Sequence, residues 1–122
     1  MTVKLAHVIS FVEDIDGAVA FYRDALGLKP RSVSPQWVEF DTGSTTLALH
    51  AADARNPSGT TRFSFDTPDV AALHRQLIAR GVEFTREPTV RHGVQLAEFV
   101  GPGGNGVGLS GPAGGAGERE SK

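Results

Sequence analysis

The sequence predicts an α+β fold built from two tandem βαβββ units, and three observations predict it. A strand-like run from Leu5 to Val12 leads into a helical pattern closed by Gly27, and the same order returns from Thr61 to Gly81, with the closing glycines 54 positions apart. The five-residue pattern Gln36-x-x-Glu39-Phe40 recurs as Gln95-x-x-Glu98-Phe99, displaced by 59. Leu47-Ala48-Leu49 is echoed by Val107-Gly108-Leu109 at 60. Loop insertions between equivalent elements produce an offset that grows by a few residues, so the pattern reads as an internal duplication.

Each element has a local reason. The β-branched and apolar residues from Leu5 to Val12 suit a strand, and Asp14 offers a carboxylate to the free amides of a helix start. Ile15, Ala18, Val19, Tyr22, Ala25 and Leu26 recur at helical spacing, and Gly27 can adopt the left-handed conformation that ends a helix. Leu28 to Ser34 reads as a weak strand in which Pro30 demands an edge position. Gln36 to Asp41 and Thr45 to His50 alternate about the turn residues Thr42-Gly43-Ser44, which predicts a hairpin. Ala51 to Thr60 has no periodicity and reads as a loop.

The second unit opens on Thr61 to Asp66. There Thr67 is expected to cap a helix with Pro68 at its first position, and Val70, Leu73, Leu77 and Ile78 to form its apolar stripe. Gly101-Pro-Gly103-Gly-Asn-Gly106 has dinucleotide-loop spacing, but a strand rather than a helix is expected after it, so no phosphate cradle is read there. Gly111 onward is too rich in glycine and charge to bury apolar surface. The expected organisation is one domain over residues 1–112, with repeats at about 1–54 and 59–111 and a disordered tail at 113–122.

Composition narrows the function. A chain of 122 residues with 39% hydrophobic residues can bury a core unaided, and without cysteine it has neither disulfides nor thiolate chemistry. Net charge of −2 with scattered signs leaves no basic stripe for nucleic acid and no polybasic membrane patch. No apolar run is long enough to span a bilayer and the first residues lack a secretion signal, so a cytoplasmic location is expected.

The paired βαβββ plan, the run Val12-x-Asp14-x-x-x-Ala18-x-x-Phe21-Tyr22-x-x-x-Leu26-Gly27 and the closing Phe99 to Leu109 segment resemble the vicinal oxygen chelate superfamily, which includes glyoxalase I, extradiol dioxygenases and bleomycin resistance proteins. The resemblance implies curved mixed sheets around a cleft, helices on the outer face, association into a homodimer, and a divalent metal held in the cleft. It places the ligand positions at His7, Ala48, Arg62 and Gly108, of which only His7 can donate a lone pair to a cation. An arginine adds a fixed positive charge there, so no metal and no other cofactor is expected.

Strand alternation assigns the faces. With Val8, Ser10 and Val12 under the helix, His7, Ile9 and Phe11 point to the cleft; Trp37, Glu39 and His50 follow, with Val38, Phe40, Leu47 and Leu49 in the core. Phe63 and Phe65 form a core pair that leaves Arg62 on the cleft side, and Glu98 follows by repeat equivalence. His7, Phe11, Trp37, Glu39, His50, Arg62 and Glu98 are therefore the candidate ligand-binding residues. Each also has a plainer reading: His7 as a hydrogen-bonded strand histidine, Phe11 and Trp37 as core, Arg62 as the partner of Glu39 or Glu98, and His50 as a rim residue. His74 and His92 are not expected to be ligands.

The expected function is metal-independent binding of a small aromatic or anionic molecule. The alternative is a lyase, isomerase or dioxygenase of the same superfamily, using a divalent metal ion in a rearranged site of two or three of His7, Glu39, His50 and Glu98, or metal-free acid–base chemistry.

Overall fold

The structure is a computed structural model that describes residues 3–113. The chain divides into two compact units, a first of Ala6–Arg62 and a second formed by the rest. Both run βαβββ. The first unit carries β1 (Lys4–Val12), α1 (Ile15–Ala20), a single π turn (Phe21–Ala25), β2 (Pro30–Val33), β3 (Trp37–Asp41) and β4 (Thr46–Ala51). The second carries β5 (Thr61–Asp66), α2 (Val70–Ala79), β6 (Phe84–Arg91), β7 (Val94–Val100) and β8 (Gly106–Pro112).

Strand order repeats with the elements. It is β2-β3-β4-β1 in the first unit and β5-β8-β7-β6 in the second. In each, the first strand lies parallel to the last and the other pairs are antiparallel. Equivalent residues also meet equivalent partners: Glu39 lies opposite Ala48 and Trp37 opposite His50, as Glu98 lies opposite Gly108 and Leu96 opposite Ser110. The duplication inferred from three sequence echoes is therefore also a duplication of register.

The first core forms where α1 covers its sheet. Val38, Phe40 and Leu49 are fully enclosed, and Ile15, Ala18, Val19 and Tyr22 pack on them as the helical spacing predicts. Asp14 caps the helix, its carboxylate accepting from the Gly17 amide at 3.0 Å. The C-terminal end of the stripe departs from expectation. The π turn is wider than an α turn, so the face drifts. Leu26 ends 59% exposed, Ala25 is also exposed, and Leu28 packs in their place, its amide bonded to the Tyr22 carbonyl at 3.0 Å. Gly27 closes the helix at φ +74° and Gly81 closes α2 at φ +87°, a backbone region that glycine enters without cost.

The second core gathers Val70, Leu73, Ala97 and Leu109, with Phe65, Leu77, Phe84 and Phe99 packed against them. Three expectations are corrected here. The cap of α2 is Asp69, whose carboxylate accepts from the Ala72 amide at 3.0 Å, rather than Thr67. Thr67 still continues the strand pairing, its amide donating to the Ser110 carbonyl at 2.9 Å, so the helix starts two residues later than the Thr-Pro signal suggests. Ile78 is 47% exposed and Phe63 45% exposed, so neither is a core residue.

The loop after β4 is organised by Asp53, whose Oδ1 accepts from the amides of Asn56 at 2.8 Å and Arg55 at 2.9 Å. Residues 59 and 60 then pair with Phe11 on β1, which explains why the boundary between units falls after Arg62 rather than in the loop. The glycine-rich turn at 101–105 leads directly into β8, as the rejected phosphate-loop reading requires. Gly111 and Pro112 belong to β8 rather than to a tail, and residues 114–122 of the expected disordered segment lie outside the described residues.

Candidate functional site

The site is built by register. The parallel pairing of β1 with β4 sets His7 against Thr46, Ile9 against Ala48 and Phe11 against His50, and the antiparallel pairing of β3 with β4 adds Glu39 beside Ala48 and Trp37 beside His50. Residues opposite one another share a face. His7, Phe11, Trp37, Glu39 and His50 therefore stand together on the face of the first unit's sheet that α1 leaves uncovered, where alternation placed them.

Glu39 is the hub of this face. Its Oε1 accepts from Arg31 Nη2 at 2.9 Å, its Oε2 accepts from the Trp37 indole N–H at 2.9 Å, and His7 Nε2 stands 3.8 Å from Oε2. Arg31 Nη2 also donates to Thr46 Oγ1 at 2.7 Å. Burial alone would push the Glu39 carboxyl up, but the hydrogen bonds from Trp37 and Arg31 and the charges of His7 and Arg31 outweigh it, so the carboxyl sits below its ordinary value. Glu39 is thus ionised and engaged at neutral pH.

Arg31 was not foreseen. The β2–β3 register runs Pro30 to Phe40 and then Ser32 to Glu39, which leaves Arg31 as the extra residue of a bulge. A bulge re-aims a side chain, and here it delivers the guanidinium to Glu39. Strict alternation from Pro30 has no means of showing this, and the one signal was the proline itself, marking an irregular edge.

Rings form the rest of the face. Trp37 stands 5.9 Å from His7 and 5.9 Å from His50, the latter edge to face, and Phe11 lies 4.8 Å from His50. Phe11 is only 4% exposed, so it backs His50. His50 Nδ1 lies 2.7 Å from the Ala51 carbonyl. A carbonyl only accepts, so Nδ1 carries the proton and the neutral ring keeps its lone pair on Nε2.

Arg62 Nη1 donates to Asn56 Oδ1 at 3.3 Å, which ties it to the loop that Asp53 organises, and Glu39 takes its guanidinium from Arg31. Glu98 belongs to the second unit, where Thr85 Oγ1 donates to its Oε1 at 2.7 Å.

A resident divalent metal, which the resemblance implies, fits these residues poorly. Ala48 is fully buried and has no donor atom. Both oxygens of the carboxylate nearest His7 already accept hydrogen bonds, one from a fixed cation. Among the described residues no group of three or more His, Asp or Glu side chains is placed to hold a metal ion.

The comparisons fit the geometry. The model of the glyoxalase/bleomycin resistance protein/dioxygenase superfamily matches residues 4–109. The chain belongs to that superfamily. Solved structures share the fold at low identity. One is a hypothetical protein from Bacillus halodurans C-125, with 17% identity and a TM-score of 0.74, covering 91% of this chain and 95% of its own. A member of the same superfamily from Vibrio splendidus 12B01 has 16% identity and a TM-score of 0.68, covering 90% and 99%. A Streptomyces coelicolor methylmalonyl-CoA epimerase variant in complex with 2-nitronate-propionyl-CoA has 22% identity and a TM-score of 0.70, covering 90% and 97%. A search of curated proteins found no match. Among the described residues no helix is long and apolar enough to cross a membrane.

Proposed function

We propose that this superfamily member is a metal-independent small-molecule-binding protein, cytoplasmic and homodimeric, that takes up an aromatic or anionic metabolite or antibiotic. The observation that carries the reading is the state of Glu39: its two oxygens are engaged by Arg31 and Trp37, which removes the carboxylate a metal beside His7 would need and at the same time fixes the indole. A fixed indole flanked by His7 and His50 is a flat wall of the kind on which planar ligands stack.

Thermal unfolding with nickel, manganese, iron or zinc is expected to leave the midpoint unchanged, because only a ligand of the folded form raises it. Trp37 is the chain's single tryptophan, so saturable quenching of its fluorescence by an aromatic metabolite panel reports binding on this face. Near-stoichiometric metal in the purified protein, with a raised midpoint, overturns the reading.

A catalytic reading rests on a different observation, the His50 tautomer. A neutral imidazole with Nδ1–H tied to a carbonyl presents Nε2 as a base, the arrangement that metal-free proton transfer uses. Turnover of a bound ligand that His50→Gln abolishes without weakening binding would establish it.

A further inference from the structure

We propose that the ligand is a planar aromatic monocarboxylate and that Arg31 is the residue that holds its carboxylate; this rests on reading the face as an organic-ligand site. The argument is an inventory of hydrogen-bonding capacity. A guanidinium has five N–H donors. Arg31 uses the two on Nη2, one to Glu39 and one to Thr46, and its Nε–H and both Nη1–H groups have no partner among the described residues. Its side chain is 44% exposed, so those donors are within reach of a ligand.

The carboxylate of the face is closed to a ligand. Glu39 already accepts at both oxygens, and its charge is offset by Arg31 with His7 at 3.8 Å. Apart from the His50 Nε2 lone pair, what the face has left to offer is donors on a cation beside an aromatic wall. The complement is an anionic acceptor carried on an arene. One carboxylate matches one guanidinium; a second would have only the repulsion of Glu39 to meet. Glu39 is the positioning residue, since it holds both the guanidinium and the indole. Arg62, the arginine singled out from sequence, has Nη1 committed to Asn56 in the loop.

Calorimetric titration with 2-naphthoate and with the isosteric neutral 2-naphthamide tests this. A charge-assisted hydrogen bond is worth about ten- to a hundredfold in affinity, so the full-length protein is expected to bind the carboxylate tighter than the amide by about that factor. Arg31→Gln is expected to bring 2-naphthoate down to the affinity of 2-naphthamide while leaving 2-naphthamide unchanged, which also shows that the wall is intact. Arg62→Gln is expected to change neither.

Equal binding of the two probes by the unmodified protein, a measurement that needs no variant, overturns the role of Arg31 and leaves the organic-ligand reading standing. Discrimination that survives Arg31→Gln, or that disappears in Arg62→Gln, also overturns it. Binding of neither probe, with no quenching by the wider aromatic panel, removes the organic-ligand reading and this inference together.

Discussion

The two units have one backbone plan and opposite use of the same face. Where the first unit has Trp37, Glu39, Ala48 and His50, the second has Leu96, Glu98, Gly108 and Ser110 at matching register. Rings and a guanidinium crowd the first. In the second a bond from Ser110 to Asp66 at 2.7 Å stands where Phe11 meets His50, and Glu98 accepts a hydroxyl from Thr85. Backbone pairing is indifferent to these exchanges, because strand hydrogen bonds do not involve side chains. The lesson is that duplication preserved the scaffold while the side chains of the two faces took on different chemistry.

The sharpest break in this comparison is expected in the cores. Phe40 is fully buried and its repeat equivalent Phe99 only partly so. Phe40→Ala should cost about 3–5 kcal/mol in urea unfolding, and Phe99→Ala clearly less, because less packing is lost. Equal costs would mean that the two cores are equally tight.

The carboxylates come next. Glu39→Gln should lower stability at pH 7 by about 1–2 kcal/mol, since it loses a charge-assisted bond on a side chain that is about a fifth exposed. The folded state lowers the Glu39 pKa, so its contribution is complete above the unfolded carboxylate titration near ~4.3 and fades as pH falls through the lower folded value. Urea midpoints of Glu39→Gln and the unmodified protein should therefore converge in acid.

The smallest effect is expected at the helix starts. Asp14→Ala and Asp69→Ala each remove one carboxylate bond to a first-turn amide, and each should cost about 1 kcal/mol. A negligible loss for Asp69→Ala would return the capping role to Thr67.

Much of the molecule was legible because periodicity reports which side of an element is wet. Val38, Phe40 and Leu49 alternate with Trp37, Glu39 and His50, and that alternation gathered His7, Phe11, Trp37, Glu39 and His50 on one face of the first unit without any tertiary information. The misses share a cause, which is local irregularity. A π turn moved Leu26 out and Leu28 in, and an extended Thr67 delayed the cap to Asp69. A bulge turned Arg31 onto Glu39. Each inserts or shifts a residue against a regular period, and single-sequence periodicity has no term for such shifts.

The irregular outer strands have one more consequence, for self-association. β2 and β6 are the terminal strands of their units, and both carry a proline, Pro30 and Pro88, together with breaks in register between Pro30 and Ser32, Phe84 and Arg86, and Arg86 and Thr89. A flat edge with evenly spaced amides is a template for a foreign strand; a proline removes a donor and a bulge twists the remainder out of line. Strand-by-strand growth from β2 or β6 is therefore disfavoured, and self-association of the chain is steered away from these two edges.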